Sequence, residues 1–338
     1  MDILLIDFLG KPAWIWLAFV TIVIALLVLD LGVLHRKERE IGVRESLVMS
    51  GFYIALGLAY GAWVWWYLGE ASGLAYVTGF VVEKSLAMDN VFVIAMIFAY
   101  FAIPRLYQHR VLFWGILGVI VLRGIMIGLG AALVERFDWV LYVFAAFLVF
   151  TGIKMWLMAD KEYDVAGSPL LRWIRRNFRV TDALHGKSFF VKQEDRRTGR
   201  LAWFVTPLFL ALIMVEMVDL IFAVDSVPAI FAITTDPFIV YTSNIFAILG
   251  LRALYFALAA MVDRFHFLKY ALAVLLVFIG SKIFVADALG IGKISPSISL
   301  GVTFAILATG VGWSLWKTRP SVMAAALAPS PAQPERRG

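Results

Sequence analysis

Long, nearly uninterrupted runs of hydrophobic residues recur along the chain as far as residue 316. A helix needs about 20 mostly apolar residues to cross a bilayer core, and nine runs reach about that length. The pattern therefore predicts an all-α polytopic membrane protein with nine transmembrane helices. The runs cover 12–34, 45–68, 73–101, 111–134, 138–158, 202–233, 240–262, 267–287 and 296–316.

Composition supports a membrane protein and excludes several kinds of chemistry. Hydrophobic residues make up 62% of the 338 positions and charged residues 16%, whereas soluble domains carry about 45–50% and about 25%. The chain has no Cys, which excludes disulfides, thiolate metal sites and CxxC redox chemistry. In a membrane protein the net charge of +6 bears on loop orientation, so we expect no nucleic-acid partner.

Lys and Arg residues concentrate in every second loop, and positively charged loops stay in the cytoplasm. The opposite set of loops offers only Lys11, Arg136 and Lys293. We therefore expect the N-terminus outside and the C-terminus inside. The basic set contains Arg36, Lys37, Arg39, Arg44, Arg105, Arg110, the 159–201 segment, Arg264, Lys269, Lys317 and Arg319.

These runs divide the chain into five parts. The segment 170–179 is basic and amphipathic, which predicts that it lies along the inner membrane surface, either as a solvated charged loop, which we favour, or as a site for a partner or a lipid. The five parts are a first helix within 1–34, helices 2–5 within 45–158, a basic cytoplasmic loop at 159–201, helices 6–9 within 202–316 and a disordered tail at 317–338.

Part of the chain repeats itself. Glu83–Val91 aligns with Asp219–Val227 at an offset of 136 residues, and both acidic positions match. Further matches pair Arg123 with Arg252, and Phe150–Lys154 with Phe278–Lys282. Each unit holds three helices, 3–5 and 6–8, so the second enters the bilayer in the opposite sense. This predicts an inverted repeat, as in many secondary transporters; the alternative is a likeness in composition alone.

Acidic residues inside the hydrophobic runs are the main chemical signal. Each costs about 2.5–3.5 kcal/mol at the centre of a membrane helix, so we expect them to face a cation or a water-filled cavity. Two lie on helix 3 and three on helix 6, namely Glu83, Asp89, Glu216, Asp219 and Asp225.

The spacing of these acids limits how they can cooperate. Six residues turn a helix through about 600°, so Asp219 and Asp225 point about 120° apart and lie about 9 Å apart along the axis. Either the two carboxylates form separate stations along a path, or the helix is interrupted between them. Pro228 favours an interruption, because it removes an N–H and crowds the carbonyl of Val224.

The neighbouring residues favour a hard cation. Carboxylates, the amide oxygen of Asn90 or Asn244 and the hydroxyl of Ser226 suit Mg²⁺, Ca²⁺ or Mn²⁺. A thioether ligand from Met88 or Met217 would favour Mn²⁺, although ordinary packing also explains both residues.

Two arginines occupy matching positions of the two repeat units. Arg123 and Arg252 are expected either to pair with the buried carboxylates or to have a purely structural role.

The two acidic motifs resemble those of the TerC family of integral membrane proteins. They read Glu83-Lys-Ser-Leu-Ala-Met-Asp-Asn-Val-Phe-Val93 and, across Val215–Ile233, VEMVDLIFAVDSVPAIFAI. The segment His185–Val191 is also similar, and the resemblance covers about residues 10–318. It implies a bacterial inner-membrane protein that is not an enzyme and that exports Mn²⁺, with the five acids at the family's motif positions.

Combining the repeat with the resemblance, we expect Mn²⁺ to be the transported ion, with no prosthetic group. Asp89 and Asp225 are expected to hold it at the repeat interface, while Glu83, Glu216 and Asp219 serve in uptake, release or proton coupling. Protons and the bilayer are the other expected partners. Two alternatives remain: transport of Ca²⁺ or a small solute, and a scaffold of a metal or tellurium stress response that recruits partners through its basic loop.

Overall fold

The computed structural model describes residues 6–29, 42–159, 165, 167–181, 183–194, 199–258, 267–290 and 294–327, without the side chains of Asp89 and of 318–327. Helices dominate this part of the chain. They are α1 (Ala13–Leu29), α2 (Val43–Leu68), α3 (Glu70–Tyr100), α4 (Arg105–Arg136), α5 (Trp139–Leu157), α6 (Pro169–Asn177), α7 (Pro207–Phe231), α8 (Pro237–Leu249), α9 (Leu251–Leu258), α10 (Leu268–Ala288) and α11 (Pro296–Leu327).

Six of these helices are long and apolar enough to cross a membrane: α2, α4, α5, α7, α10 and the Pro296–Lys317 part of α11. Together α8 and α9 form a seventh candidate, bent by 42° at Gly250. This confirms an all-α polytopic membrane protein. The remaining predicted spans correspond to α1, which has only 17 residues, and to α3, which carries the charged Glu83 and Lys84. Nine crossings therefore stay a prediction.

Two short hairpins accompany the helices. Strands β1 (Asp7–Phe8) and β2 (Lys11–Pro12) pair near the N-terminus. Strands β3 (Phe190–Glu194) and β4 (Leu201–Val205) pair antiparallel, with Phe190 opposite Val205. The predicted sixth run, 202–233, was therefore too long at its start. Side chains of β4 alternate between exposed and half-buried, and Pro207 at the first helical position begins α7 only afterwards.

Two further predictions are corrected by the helices. The tail 317–338, expected to be disordered, is helical to Leu327, because Met323–Leu327 consists of strong helix formers; residues 328–338 lie outside the described part. The interruption expected at Pro228 is also wrong, since α7 runs unbroken to Phe231. Pro228 lies in the last turn, where its missing N–H deprives only one carbonyl of a partner.

Helices α5 and α10 approach each other closely at two glycines. A Cβ atom on Gly152 would lie 2.7 Å from the carbonyl oxygen of Ala273, and one on Gly280 would lie 2.5 Å from that of Ala145. As the residue number rises along α5, that of its neighbour on α10 falls, so the two helices are antiparallel. Only glycine allows the backbones to come this near.

We predict that Gly152→Ala lowers the free energy of unfolding by about 1–3 kcal/mol, because the added methyl meets the backbone of α10. Thermal unfolding of the purified chain in detergent measures the change. Gly128→Ala is the matched control, since nothing lies within 4 Å of a Cβ there. Equal stability of the two variants would contradict the tight α5–α10 contact.

Candidate functional site

A buried arginine lies where α3, α4, α7 and α8 meet. The side chain of Arg123, on α4, is 2% exposed. Its Nη1 atom donates hydrogen bonds to Glu83 on α3, to Oγ of Ser226 at 3.0 Å and to Oδ1 of Asn244 at 3.1 Å. One guanidinium nitrogen therefore connects three helices other than its own.

The same guanidinium reaches a second carboxylate. Nε of Arg123 donates to Oδ2 of Asp219 at 3.3 Å, and Nη2 donates to Oδ1 at 3.4 Å. Glu83 and Asp219, which occupy equivalent positions in the sequence repeat, thus share one positive charge. Paired charges in a membrane interior are tolerated, whereas a lone charge there is costly.

Two amide side chains complete the network. Asn244 donates from Nδ2 to Oε2 of Glu83 at 3.1 Å, and Asn90 donates from Nδ2 to Oδ1 of Asp219 at 3.1 Å. Both asparagines are almost fully buried, as are the two carboxylates. Each carboxylate is therefore held by the shared arginine and by one amide, which fixes its orientation.

Two buried oxygen atoms beside Asp219 have no hydrogen-bond partner among the described residues: Oδ1 of Asn90 and Oε2 of Glu216. Glu216 lies one helical turn before Asp219 and packs against α4 at Gly118. A Cβ atom on Gly118 would lie 2.0 Å from Oε1 of Glu216, so a larger residue there would displace this carboxyl group. These atoms are acceptors that a cation could use.

Asp225 lies farther along α7 and interacts with α5, where Thr151 is its hydrogen-bond partner and Lys154 is a nearby positive charge. Asp219 instead faces Arg123 on α4. The two acids thus point toward different helices, as their six-residue spacing predicts for a continuous helix. The two side chains are therefore arranged as on a continuous helix, and their use as separate stations stays a prediction.

The other predicted site residues lie in varied surroundings. The side chain of Asp89 is outside the described part of the structure. Met88 packs against apolar clusters, Met217 is half-buried, and Arg252 is buried on α9. Among the described residues, no group of three or more His, Asp or Glu side chains could hold a metal ion. In this conformation, Arg123 lies between Glu83 and Asp219, which are two of the five predicted acidic site residues.

A buried lysine was missing from the predicted site. Lys84 donates from Nζ to the carbonyl oxygen of Ala247 at 3.0 Å, near the end of α8. A Cβ atom on Gly250, at the α8–α9 bend, would lie 2.9 Å from the same nitrogen. Cations favour the C-terminal end of a helix, so Lys84 stabilises the bend. The signal in the sequence that could have identified Lys84 was a charged residue next to Glu83 within a hydrophobic run.

A cavity of about 390 Å³ opens near the C-terminal end of α7. Its wall includes Asp138, Lys282 and Asp287, and it extends to Thr78 on α3. Thr78 precedes Glu83 by five residues, about 7.5 Å along a helix. This cavity, which has a mostly apolar wall with a few charged and hydroxyl side chains, therefore comes close to the Arg123 network from one end of the helices.

We predict that Arg123→Met destabilises the protein by about 3–5 kcal/mol, because Glu83 and Asp219 would stay buried without their positive partner. Adding Glu83→Gln and Asp219→Asn to this variant should restore most of the loss, since no buried charge then remains in the trio. Thermal unfolding in detergent compares the two variants. If Arg123→Met were as stable as the unaltered chain, the electrostatic role of Arg123 would be contradicted.

Comparison with known proteins identifies relatives along nearly the whole chain. An uncharacterized membrane protein of Myxococcus xanthus, STKORF319, is 46% identical over 320 residues, covering 95% of this chain and 97% of that protein. A protein of Escherichia coli K12, provisionally named membrane-bound redox modulator Alx, is 48% identical over 307 residues, covering 88% and 92%. An uncharacterized membrane protein of Rickettsia bellii is 47% identical over 296 residues, covering 88% and 95%.

No solved structure matches the chain significantly. The model of one protein family, described as the integral membrane protein TerC family, matches residues 68–321. This range contains all five acidic residues and the arginine between them. The chain therefore belongs to the TerC family of integral membrane proteins.

Proposed function

We propose that this protein transports a divalent cation across the bacterial inner membrane and that it exports Mn²⁺ from the cytoplasm. The observation that carries the proposal is the meeting of Glu83 and Asp219 at Arg123. One carboxylate comes from each predicted repeat unit, and both are buried where a membrane protein tolerates charge only at a cost.

The close α5–α10 contact supports an inverted repeat. Subtracting 128 from Gly280 gives Gly152, and subtracting 128 from Ala273 gives Ala145. Gly152 contacts Ala273 while Gly280 contacts Ala145, so each contact maps onto the other when the units are exchanged. Such reciprocity is the property of a two-fold axis. Because the helices are antiparallel, this axis runs across them, as in inverted-repeat transporters.

The carboxylate network supports the same relation. Asn90 and Ser226 occupy equivalent repeat positions at the offset of 136. Asn90 donates to Asp219, and Ser226 interacts with Glu83, so each unit supplies a polar partner to the acid of the other.

In this proposal α1 and α3 cross the membrane with the seven candidate spans. Nine crossings leave the two termini on opposite sides of the membrane, and because basic loops stay in the cytoplasm, the C-terminus lies there and the N-terminus lies outside.

Arg123 acts in this proposal as a resident counter-ion. It belongs to the first unit and binds Asp219, Ser226 and Asn244 of the second. An arriving divalent cation takes over Glu83 and Asp219, and the guanidinium withdraws. The contacts that join the units are thereby loosened, so they can rock and expose the ion to the other side.

The donor atoms around this position suit a hard cation. They are carboxylate oxygens together with the amide oxygen of Asn90 and one carboxyl oxygen of Glu216, which have no hydrogen-bond partner within the described part of the chain. Asp225 forms a second station beside Thr151, toward the end of α7 near which the cavity opens. Met88 and Met217 lie near the acids, and a thioether ligand would favour Mn²⁺ over Mg²⁺ and Ca²⁺. Protons can replace the cation on these carboxyl groups during the return step.

The name of the Escherichia coli relative refers to redox modulation. Thiol–disulfide exchange needs a thiolate, and this chain has no Cys. Its own residues therefore cannot perform that reaction, and the buried carboxylates favour ion transport instead.

We predict that Glu83→Gln and Asp219→Asn each abolish Mn²⁺ export, because each removes a carboxylate that the cation must take over from Arg123. Cellular manganese in an Mn²⁺-loaded, exporter-deficient bacterial host is the measurement. Glu70→Gln is the matched control, since Glu70 lies exposed on the same helix as Glu83. We expect Glu70→Gln to lower cellular manganese to the same level as the unaltered chain does.

In the same host we also test the Asp225→Asn variant by itself. This variant is expected to insert into the membrane normally and to fail in Mn²⁺ export. Low manganese in cells that carry Asp219→Asn, at equal membrane expression, would contradict the proposed site. If cellular manganese stays high with every variant and also with the unaltered chain, the result would favour transport of another cation or the scaffold alternative.

A further inference from the structure

The segment between α5 and α7 has an exposed basic face that the proposed transport does not use. Helix α6 buries Leu171 and Ile174 in an apolar cluster with residues of α3 and α7. Its other side exposes Arg172, Arg175 and Arg176. Among the described residues no salt bridge involves these three arginines, so their charge is available to a ligand.

The position of α6 relative to α7 places this face at the membrane boundary. Ser168, just before α6, lies with its Oγ atom 4.0 Å from Sδ of Met214, which is seven residues into the apolar helix α7. That depth is about 10 Å along the helix. After α6, the N–H of Thr181 donates to the carbonyl oxygen of Val205 at 2.9 Å, just before α7 begins. Helix α6 therefore extends beside the first turns of a candidate membrane span.

Exposed aromatic side chains accompany the arginines. Trp173 is 56% exposed and Phe178 is 48% exposed, and their rings contact each other edge to face. On the neighbouring hairpin, Trp203 is 63% exposed and lies beneath the ammonium group of Lys192. Aromatic rings next to Arg and Lys are typical of the layer of lipid headgroups, where one side of the ring is apolar and the other is hydrated.

We propose that the exposed face of α6, formed by Arg172, Trp173, Arg175 and Arg176, binds anionic phospholipid headgroups of the surrounding bilayer. Guanidinium groups hold phosphate oxygens in a bidentate manner, and basic residues at a membrane surface attract anionic lipid. The opposite face of α6 packs on the helices that carry Glu83 and Asp219. Bound headgroups therefore anchor that part of the helix bundle to the membrane surface.

The test uses the full chain in nanodiscs of equal parts phosphatidylglycerol and phosphatidylcholine, followed by native mass spectrometry of the retained lipids. We expect the unaltered chain to retain phosphatidylglycerol preferentially. In the triple variant Arg172→Gln, Arg175→Gln and Arg176→Gln, the ratio of retained phosphatidylglycerol to phosphatidylcholine should fall by at least about fivefold. One basic residue near the surface contributes about 1 kcal/mol, which corresponds to about a fivefold change in binding. A matched triple variant removes three exposed charges elsewhere: Arg105→Gln, Arg136→Gln and Lys317→Gln.

The proposal is supported if the matched variant keeps the preference for phosphatidylglycerol and the α6 variant loses it. Equal loss in both variants would reduce the effect to net charge and overturn it, as would equal retention of the two lipids by the unaltered chain.

A second measurement locates α6 independently of lipid selection. Because the chain has no Cys, Trp173→Cys carries a single spin label, and Glu194→Cys, on the exposed end of β3, serves as the reference. We expect the Trp173 label to be accessible to oxygen and shielded from a water-soluble nickel complex, unlike the reference. Equal access of the nickel complex to both labels would show a solvated surface, suited to a soluble partner, and would overturn the proposal.

Discussion

The positive charge of Arg123 in the middle of a helix bundle is the constraint on which the site depends. A guanidinium cannot be deprotonated in a protein, so burial does not allow it to become neutral. It must be compensated by negative charge and by hydrogen-bond acceptors in the same place. Glu83 and Asp219 supply the charge, and Ser226 and Asn244 supply further acceptors. This requirement holds α3, α4, α7 and α8 in one arrangement.

The same requirement explains how such a site can bind a cation and release it. Two carboxylates that face a fixed arginine already stand close together, and their asparagine partners hold them in orientation. In the proposed transport, a divalent cation replaces the guanidinium without first gathering these two ligands. When no cation is bound, the arginine compensates one of the two negative charges and hydrogen-bonds to both carboxylates. Exchange between the two positive groups therefore avoids leaving both carboxylates without a positive partner in the membrane.

The fold could be predicted from sequence to the extent that hydrophobic runs determine it. Runs of about 20 apolar residues correspond to helices such as α4 and α10, because only helices satisfy the backbone in lipid. The hairpin of β3 and β4 was missed because β4 is itself apolar and adjoins α7. Pro228 was misleading because the effect of proline depends on its distance from the helix end.

Residues of the Arg123 network could be identified from the sequence, but their contacts could not. Acidic residues in apolar runs marked Glu83 and Asp219, and the matching repeat positions marked Arg123. Sequence spacing correctly indicated that Asp219 and Asp225 diverge on one helix. Which acid pairs with which base depends on the rotation of neighbouring helices, so the sharing of Arg123 could not be derived. The same holds for Lys84, whose partner is a backbone carbonyl of α8.

The most direct test of the central claim is Mn²⁺ binding by the purified full chain, measured from the loss of the electron paramagnetic resonance signal of free Mn²⁺. If Arg123 occupies the place that a cation would take, Arg123→Ala should bind Mn²⁺ more tightly than the unaltered chain. Adding Glu83→Gln to Arg123→Ala should then weaken binding again. Binding of Mn²⁺ by Arg123→Ala that is weaker than, or equal to, that of the unaltered chain would contradict the account.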